Sequence, residues 1–301
     1  MAKKEITNIA LSVKEKLINY ARKNSLEFNS VLLQYIQERF LFRISKSIYV
    51  NNFVLKGALL FLAHDISRLR PTKDIDLLGS SLPNKTESLK EIFHEISSIN
   101  FEDGLTFDSS SVSAEQIVEQ DEYHGIRIKL SAKLGTARQQ IQIDIGFGDV
   151  IYPRSLIMDY PTILDFEAPH LKVYSLESAI AEKFEAIVSL GIATSRMKDF
   201  YDIHFFASSK AFDLLTLHNA LTETFNNRQT SIEKRSSIFA ENFKNDENLN
   251  KLWSAFIKKR SLKLDHEFAV VVSKIEVFIE PACIKVNSTK TWNFKEWKWN
   301  Q

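Results

Sequence analysis

The chain has 301 residues, 44% of them hydrophobic, with 22 Phe and 4 Trp, enough apolar material for one large domain or two modest ones. Only 8 Gly and 6 Pro exclude a disordered or turn-dense all-β chain, and a net charge of +1 excludes a global field that draws in nucleic acid, leaving local patches for any such binding. The single cysteine, Cys283, excludes an internal disulfide and a cysteine-built zinc site, and it fits the reducing cytoplasm where the protein is expected to work.

The opening stretch MAKKEITNIALSVKEK is charged and lacks a continuous apolar core, so no signal peptide is expected; no apolar run is long enough to predict a membrane span. Leu11, Val13, Leu17 and Ile18, then Val31, Leu32, Tyr35, Ile36, Phe40 and Leu41, recur at helical spacing without proline. Phe53-Val54-Leu55 reads as a short strand, followed by Lys56-Gly57 and a helix over residues 58–66. Arg70-Pro71-Thr72 marks a turn, because proline fixes its own φ and biases the preceding residue away from helix. KDIDLLG alternates as a strand, GSSLPNKT is a loop, and residues 87–99 form a helix.

From Ile126 to Phe147 the period becomes two. Ile126, Ile128 and Leu130, then Ile141, Ile143 and Ile145, alternate with polar residues, which predicts an antiparallel pair with one buried face. Pro153, Pro161 and Pro169 punctuate the chain before a mainly helical region that begins near Ser175. Residues 225–250 are polar and Asn-rich, and the tail TWNFKEWKWN is aromatic and basic with no clear period. The fold class expected is α+β: a helical segment over residues 1–50, a mixed sheet flanked by helices over 51–165, and a helical lobe over 166–301 that completes the active site.

Asp74 and Asp76 stand two apart on a strand, so both carboxylates leave one face while Ile75 and Leu77 enter the core. Such a pair can ligate Mg²⁺ or Mn²⁺, which favour hard oxygen donors; alone, the same spacing is an ordinary solvated strand face. Asp144, on the polar face of another strand, is either a third metal ligand or a surface residue paired across the hairpin with Arg127 or Lys129. Gly57, between strand and helix, lets backbone N–H groups approach an anion. No G-x-x-x-x-G-K-[ST] is present, which excludes a P-loop enzyme.

Lys183 occupies the apolar stripe of Leu176, Ile180, Ile187 and Leu190. A cation there either snorkels to water or meets an anion. Beyond Gly191 a second helix is expected to start at Thr194 or Ser195, both good caps. Asp199 in its first turn, Asp202, Arg196 and Lys198 each admit a structural and a functional reading.

Three blocks, FVLKGALLFLAHDISRLRPTKDIDLLG, IQIDIGFGD and IAEKFEAIVSLGIATSRMKDFYDI, resemble the successive motifs of AbiEii/AbiGii-type toxins, bacterial nucleotidyltransferases of the DNA polymerase β-like superfamily. The likeness runs from about residue 30 to 205. It implies a nucleotidyltransferase-type core in which Gly57 and Ala58 meet phosphate, with Lys56 and Thr72 beside them as further nucleotide contacts. It implies that Asp74 and Asp76 hold metal, that Lys183 is the nucleotide lysine and Asp199 a second essential acid, and that Asp144 is the third carboxylate. It also implies the toxin of a toxin–antitoxin or phage-defence pair, with NTP as substrate, RNA, above all tRNA, as acceptor, and an antitoxin encoded nearby. Two departures stand out. Ala58 and Leu59 replace a second glycine or hydroxyl, which is expected to weaken NTP binding, and a long spacing between Ala58 and Asp74 is expected to lengthen one helix. The readings that compete with RNA transfer are modification of a protein side chain and non-catalytic binding of nucleotide or antitoxin. Lys258-Lys259-Arg260 and the Trp/Lys tail are either guides for an RNA backbone or solvated faces.

Overall fold

The computed structural model describes residues 8–64, 72–119, 122–260, 262, 264, 266–286 and 289–301. The chain divides into two compact units, Met1–Gly148 with Leu156–Val173, and Asp149–Ser155 with Tyr174–Gln301. No helix among the described residues is long and apolar enough to cross a membrane.

The first unit opens with helix α1 (Ile9–Lys23), capped by the Asn8 side chain, which accepts from the Leu11 N–H at 3.1 Å. It buries Val13, Leu17 and Ala21, one residue per turn. Helix α2 (Phe28–Lys46) is buried all round from Tyr35 to Ile44, charged residues included. Arg39 and Arg43 reach Asp103 at 3.2 and 2.7 Å, and all three are at most 2% exposed. Charges tolerate such burial only when paired.

Seven strands form one mixed sheet: β1 (Phe53–Lys56), β2 (Asp74–Gly79), β3 (Leu105–Glu119), β4 (Glu122–Leu134), β5 (Ala137–Phe147), β6 (Leu156–Asp159) and β7 (His170–Val173). Their order is β3-β4-β5-β2-β1-β7-β6, with β2–β5 and β1–β7 parallel and every other pair antiparallel. The expected hairpin is β4–β5, and its isoleucines are buried. Strands β3, β6 and β7 have no counterpart in the periodicity reading. Between them, helices α3 (Leu60–Ala63) and α4 (Thr86–Ser98) complete the unit. Phe40 of α2, Phe53 of β1 and Phe107 of β3 converge on an aromatic cluster with Phe93 of α4, with centroids 5.2–6.0 Å apart.

The helix expected after Gly57 is a 3-10 turn, Gly57–Leu59, running into the single turn of α3. As described, α3 ends at Ala63 with His64 at its C-cap, where the His64 N–H donates to the Leu60 carbonyl. Residues 65–66 of that expected helix, and Arg70 and Pro71 of the expected turn, lie outside the described residues.

The second unit is helical: α5 (Leu176–Leu190), α6 (Met197–Ser209), α7 (Leu214–Asn227), the single turns α8 (Arg235–Ile238) and α9 (Glu241–Lys244), α10 (Glu247–Arg260) and α11 (Phe268–Cys283). Phe184 of α5 lies within 6.0 Å of the rings of Phe225 and Phe239 at its core. The tail closes as a hairpin, β8 (Thr291–Asn293) with β9 (Lys298–Asn300). Its indoles are structural: Trp292, Trp297 and Trp299 donate to the carbonyls of Ala207, Lys274 and Phe278. An indole with its N–H engaged and its ring packed, as Trp292 is at 0% exposure, is not a platform for bases.

Candidate active site

The acids of the first unit stand on adjacent strands. Along β2, Ile75 and Leu77 are buried, while Asp74 and Asp76 are half-buried on the other face. Strand β5 runs parallel beside it in a register that sets Asp144 next to Asp76 and Gln142 next to Asp74. On the opposite side of β2, β1 places Lys56 across from Asp76, and beyond β5, β4 places Arg127 across from Asp144. Lys56, Asp76, Asp144 and Arg127 thus form one row over four neighbouring strands, because residues in register share a face.

Gly57 makes room for this row. Its φ is +68°, a conformation costly for other residues, and a Cβ there would lie 1.8 Å from Oδ2 of Asp76. The Asp76 carboxylate fills the notch that the missing side chain leaves. Ala58 is buried and has no polar side-chain atom, so it lacks the hydroxyl that could otherwise meet a phosphate. The turn that follows has too few aligned peptides for a strong dipole, leaving the Gly57 amide and the Lys56 cation as the means of meeting an anion. At the entry to β2, the Asp74 N–H donates to Thr72 Oγ1, and the Gln37 amide donates to the Thr72 carbonyl, both at 3.4 Å.

Asp144 is held by Arg127, whose Nε and Nη2 donate to its two oxygens at 2.9 and 2.8 Å. Those bonds, and the charges of Asp144 and Asp74, make Arg127 more basic than usual. The donor set can be weighed against a metal on chemistry alone. Among the described residues no three His, Cys, Asp or Glu side chains group to hold an ion. Asp74 and Asp76 are hard oxygen donors on one face, and magnesium commonly takes one or two carboxylates with phosphate oxygens completing its shell. The pair fits that pattern. Asp144 can join it in competition with Arg127, which holds both of its oxygens.

The second unit carries a cation among buried acids. Helix α5 is capped by Ser175, whose Oγ accepts from the Ser178 N–H at 3.1 Å, and its stripe buries Ile180 and Ile187 on either side of Lys183. Lys183 does not reach out to water. Its side chain is 15% exposed, and its ammonium donates to Oδ1 of Asp199 at 3.1 Å and Oδ2 of Asp202 at 2.8 Å, both acids on α6 and 0% exposed. Arg196 donates through Nε to the other Asp199 oxygen. Burial pushes the Asp199 carboxyl up, yet Lys183, Arg196 and Lys198 outweigh it and hold the group below the ordinary carboxylate range.

Neither Thr194 nor Ser195 caps α6. The helix starts at Met197 with Arg196 at the cap, because the buried Thr194 hydroxyl accepts the Arg196 N–H at 3.2 Å instead. This delay puts Arg196 beside Asp199. The roles of Asp202 and Arg196 were open in the sequence; the helical spacing of Asp199 and Asp202, three apart beside a cation in an apolar stripe, is the only signal that hinted at them. Glu182, next to Lys183, lies 3.6 Å from Arg228, which also binds Asp149 and Glu185 at 2.8 Å. Lys258, Lys259 and Arg260 are exposed in the last turn of α10, where cations complement a helix terminus.

Comparison with known proteins follows the same lines. MenT4, the nucleotidyltransferase toxin Rv2826c of Mycobacterium tuberculosis H37Rv, superposes with a TM-score of 0.52 at 14% identity, over 96% of this chain and 92% of that one. JHP933 of Helicobacter pylori gives a TM-score of 0.51 at 13% identity, over 85% of this chain and 93% of its own. A putative nucleotidyltransferase of H. pylori gives 0.50 at 14%, over 85% and 96%. At such identities the likeness is one of fold. A comparison with curated proteins returns no match. The family model described as "Nucleotidyl transferase AbiEii toxin, Type IV TA system" matches residues 39–274, which include β1, β2, β5, α5 and α6. With most of its length matched, and as its motifs led one to expect, the chain belongs to the AbiEii nucleotidyl transferase toxins of type IV toxin–antitoxin systems.

Proposed function

We propose that this toxin transfers a nucleoside monophosphate from an NTP to a hydroxyl of RNA, with tRNA the acceptor, in the cytoplasm, as the toxic half of a toxin–antitoxin or phage-defence pair whose antitoxin is encoded nearby. The family supplies the nucleotidyltransferase activity. The observation that carries the reading of the site is the register of β2 and β5, which sets Asp76 and Asp144 side by side with Asp74 on the same face, over a glycine notch. An RNA acceptor, tRNA above all, rests on the resemblance of the motifs to AbiEii/AbiGii-type toxins.

In this reading the acceptor hydroxyl, activated by Asp144 or by a metal-bound state that takes up its proton, attacks the α-phosphorus; a new P–O bond forms as the α–β bond breaks, and pyrophosphate leaves. Asp74 and Asp76 would hold Mg²⁺ or Mn²⁺, which supplies stabilisation of charge on the oxygens of attack and departure. Asp144 would join them as a third ligand, in competition with Arg127. Lys183 meets the nucleotide phosphates as a point charge, and Asp199 holds that lysine and Arg196. The Gly57 amide, with Lys56, Ala58 and Thr72, contacts the nucleotide, so that charge moving to pyrophosphate meets donors already in place.

The test is incubation of the purified protein with each labelled NTP, magnesium and total tRNA. Label in RNA that disappears with Asp76→Ala and with Lys183→Ala, by roughly a thousandfold or more, is the expected result. Label appearing in protein, binding without transfer, or full activity in either variant would overturn it.

A further inference from the structure

Lys183 is served unequally by its two acids. Asp199 divides its oxygens between two cations, Oδ1 to Lys183 and Oδ2 to Arg196. Asp202 directs Oδ2 to Lys183 at the shorter distance, 2.8 Å against 3.1 Å, from a side chain that is 0% exposed. Both acids belong to α6, three residues apart, while the lysine belongs to α5, so the contact joins two helices and fixes the ammonium relative to both. An ammonium has three donors, and these two carboxylates take two of them in fixed directions. The four-carbon stem of a lysine carries rotamer freedom that an anion would otherwise have to freeze at each binding event.

We propose that Asp202 is the positioning residue for Lys183: it holds the ammonium in the place where the nucleotide phosphates arrive, without touching the nucleotide itself. This rests on the assignment of Lys183 to the phosphates. The proposal has a sign that a bystander carboxylate lacks. A buried negative charge beside an anion site repels the anion, so removing it tightens nucleotide binding if charge is all that matters. If position matters, removal weakens binding, because the lysine must then be ordered afresh.

The experiment compares steady-state transfer by the full chain carrying Asp202→Ala and Asp202→Asn, using labelled NTP, magnesium and total tRNA. Asp202→Ala is expected to raise the nucleotide KM about tenfold while kcat stays within about threefold. Asp202→Asn keeps an acceptor for the lysine and is expected to raise KM by about threefold. A KM that is unchanged or lower in Asp202→Ala overturns the proposal. A second arm reads Tm and needs no activity. Lys183→Met strands buried carboxylates and lowers Tm, and Asp202→Asn added to it is expected to raise Tm again. A double variant no more stable than Lys183→Met also overturns the proposal. Failure of the underlying assignment looks different, because Lys183→Met itself would then transfer at the normal rate.

Discussion

The two acid clusters solve opposite problems. On the sheet, Asp74, Asp76 and Asp144 are part-exposed and close together, with Arg127 on one of them. On α6, Asp199 and Asp202 are fully buried, and each oxygen they are seen to use points at a cation. Acids in the first arrangement lie on a part-exposed face, where solvent shares in balancing them; acids in the second are buried and balanced by cations inside the fold. The difference separates charge shared with solvent from charge balanced within the fold.

Stability should break the symmetry most visibly. Lys183→Met is expected to lose roughly 3 kcal/mol in urea unfolding, since it leaves buried carboxylates facing one guanidinium. Asp76→Ala is expected to cost less than about 1 kcal/mol, because pairing on a half-open face is worth little. Equal losses in both variants would erase the distinction.

Buried charge in the first unit behaves differently again. Burial pushes the Glu38 carboxyl up to about 7, against the pull of the Ile163 N–H and of Arg39. Between an unfolded value of 4.5 and that of about 7, the folded chain keeps a proton that the unfolded chain has lost. Stability from this group is therefore full below 4.5 and falls as pH rises through 7. Glu38→Gln should remove up to about 3 kcal/mol of that decline, read as the difference between variant and parent at pH 5 and pH 8. A parallel pair of curves would show Glu38 to be ionised in the fold.

Smaller effects sharpen the sheet site. Gly57→Ala should cut transfer by roughly tenfold to a hundredfold, because the new methyl must displace the Asp76 carboxylate from its notch. Arg127→Gln frees Asp144 and should lower the magnesium concentration needed for half-maximal transfer by about threefold. An unchanged metal requirement would leave Asp144 a cross-strand partner and nothing more.

Legibility follows physical range. Asp74 and Asp76 could be paired on a face from their spacing, and the β4–β5 hairpin from its period, because both are local. That Asp144 adjoins Asp76 could not, since parallel register is set by contacts far apart in sequence. The stripe of α5 exposed Lys183 as anomalous, but its partners depend on how α5 meets α6. Strand β3 escaped notice because LTFDSSSVSAEQIVE is serine-rich and its pairing is interrupted between Asp108 and Ser113. Strands β6 and β7 are four residues each, too short for a period to show. The buried arginines of α2 were hidden within a helix whose hydrophobic residues alone announced it.

The parallel pairing of β2 with β5 has a temporal consequence. Parallel neighbours cannot be joined by a tight turn, and here the chain between Gly79 and Ala137 must be made before Asp144 can lie down beside Asp76. A polypeptide emerging from the ribosome thus carries its first two acids long before their neighbour, and Lys183 emerges later still. In the proposed site, the acids of the sheet and the lysine with its carboxylates are all present only once synthesis has passed Asp199, so assembly of the site is a late event in making the protein.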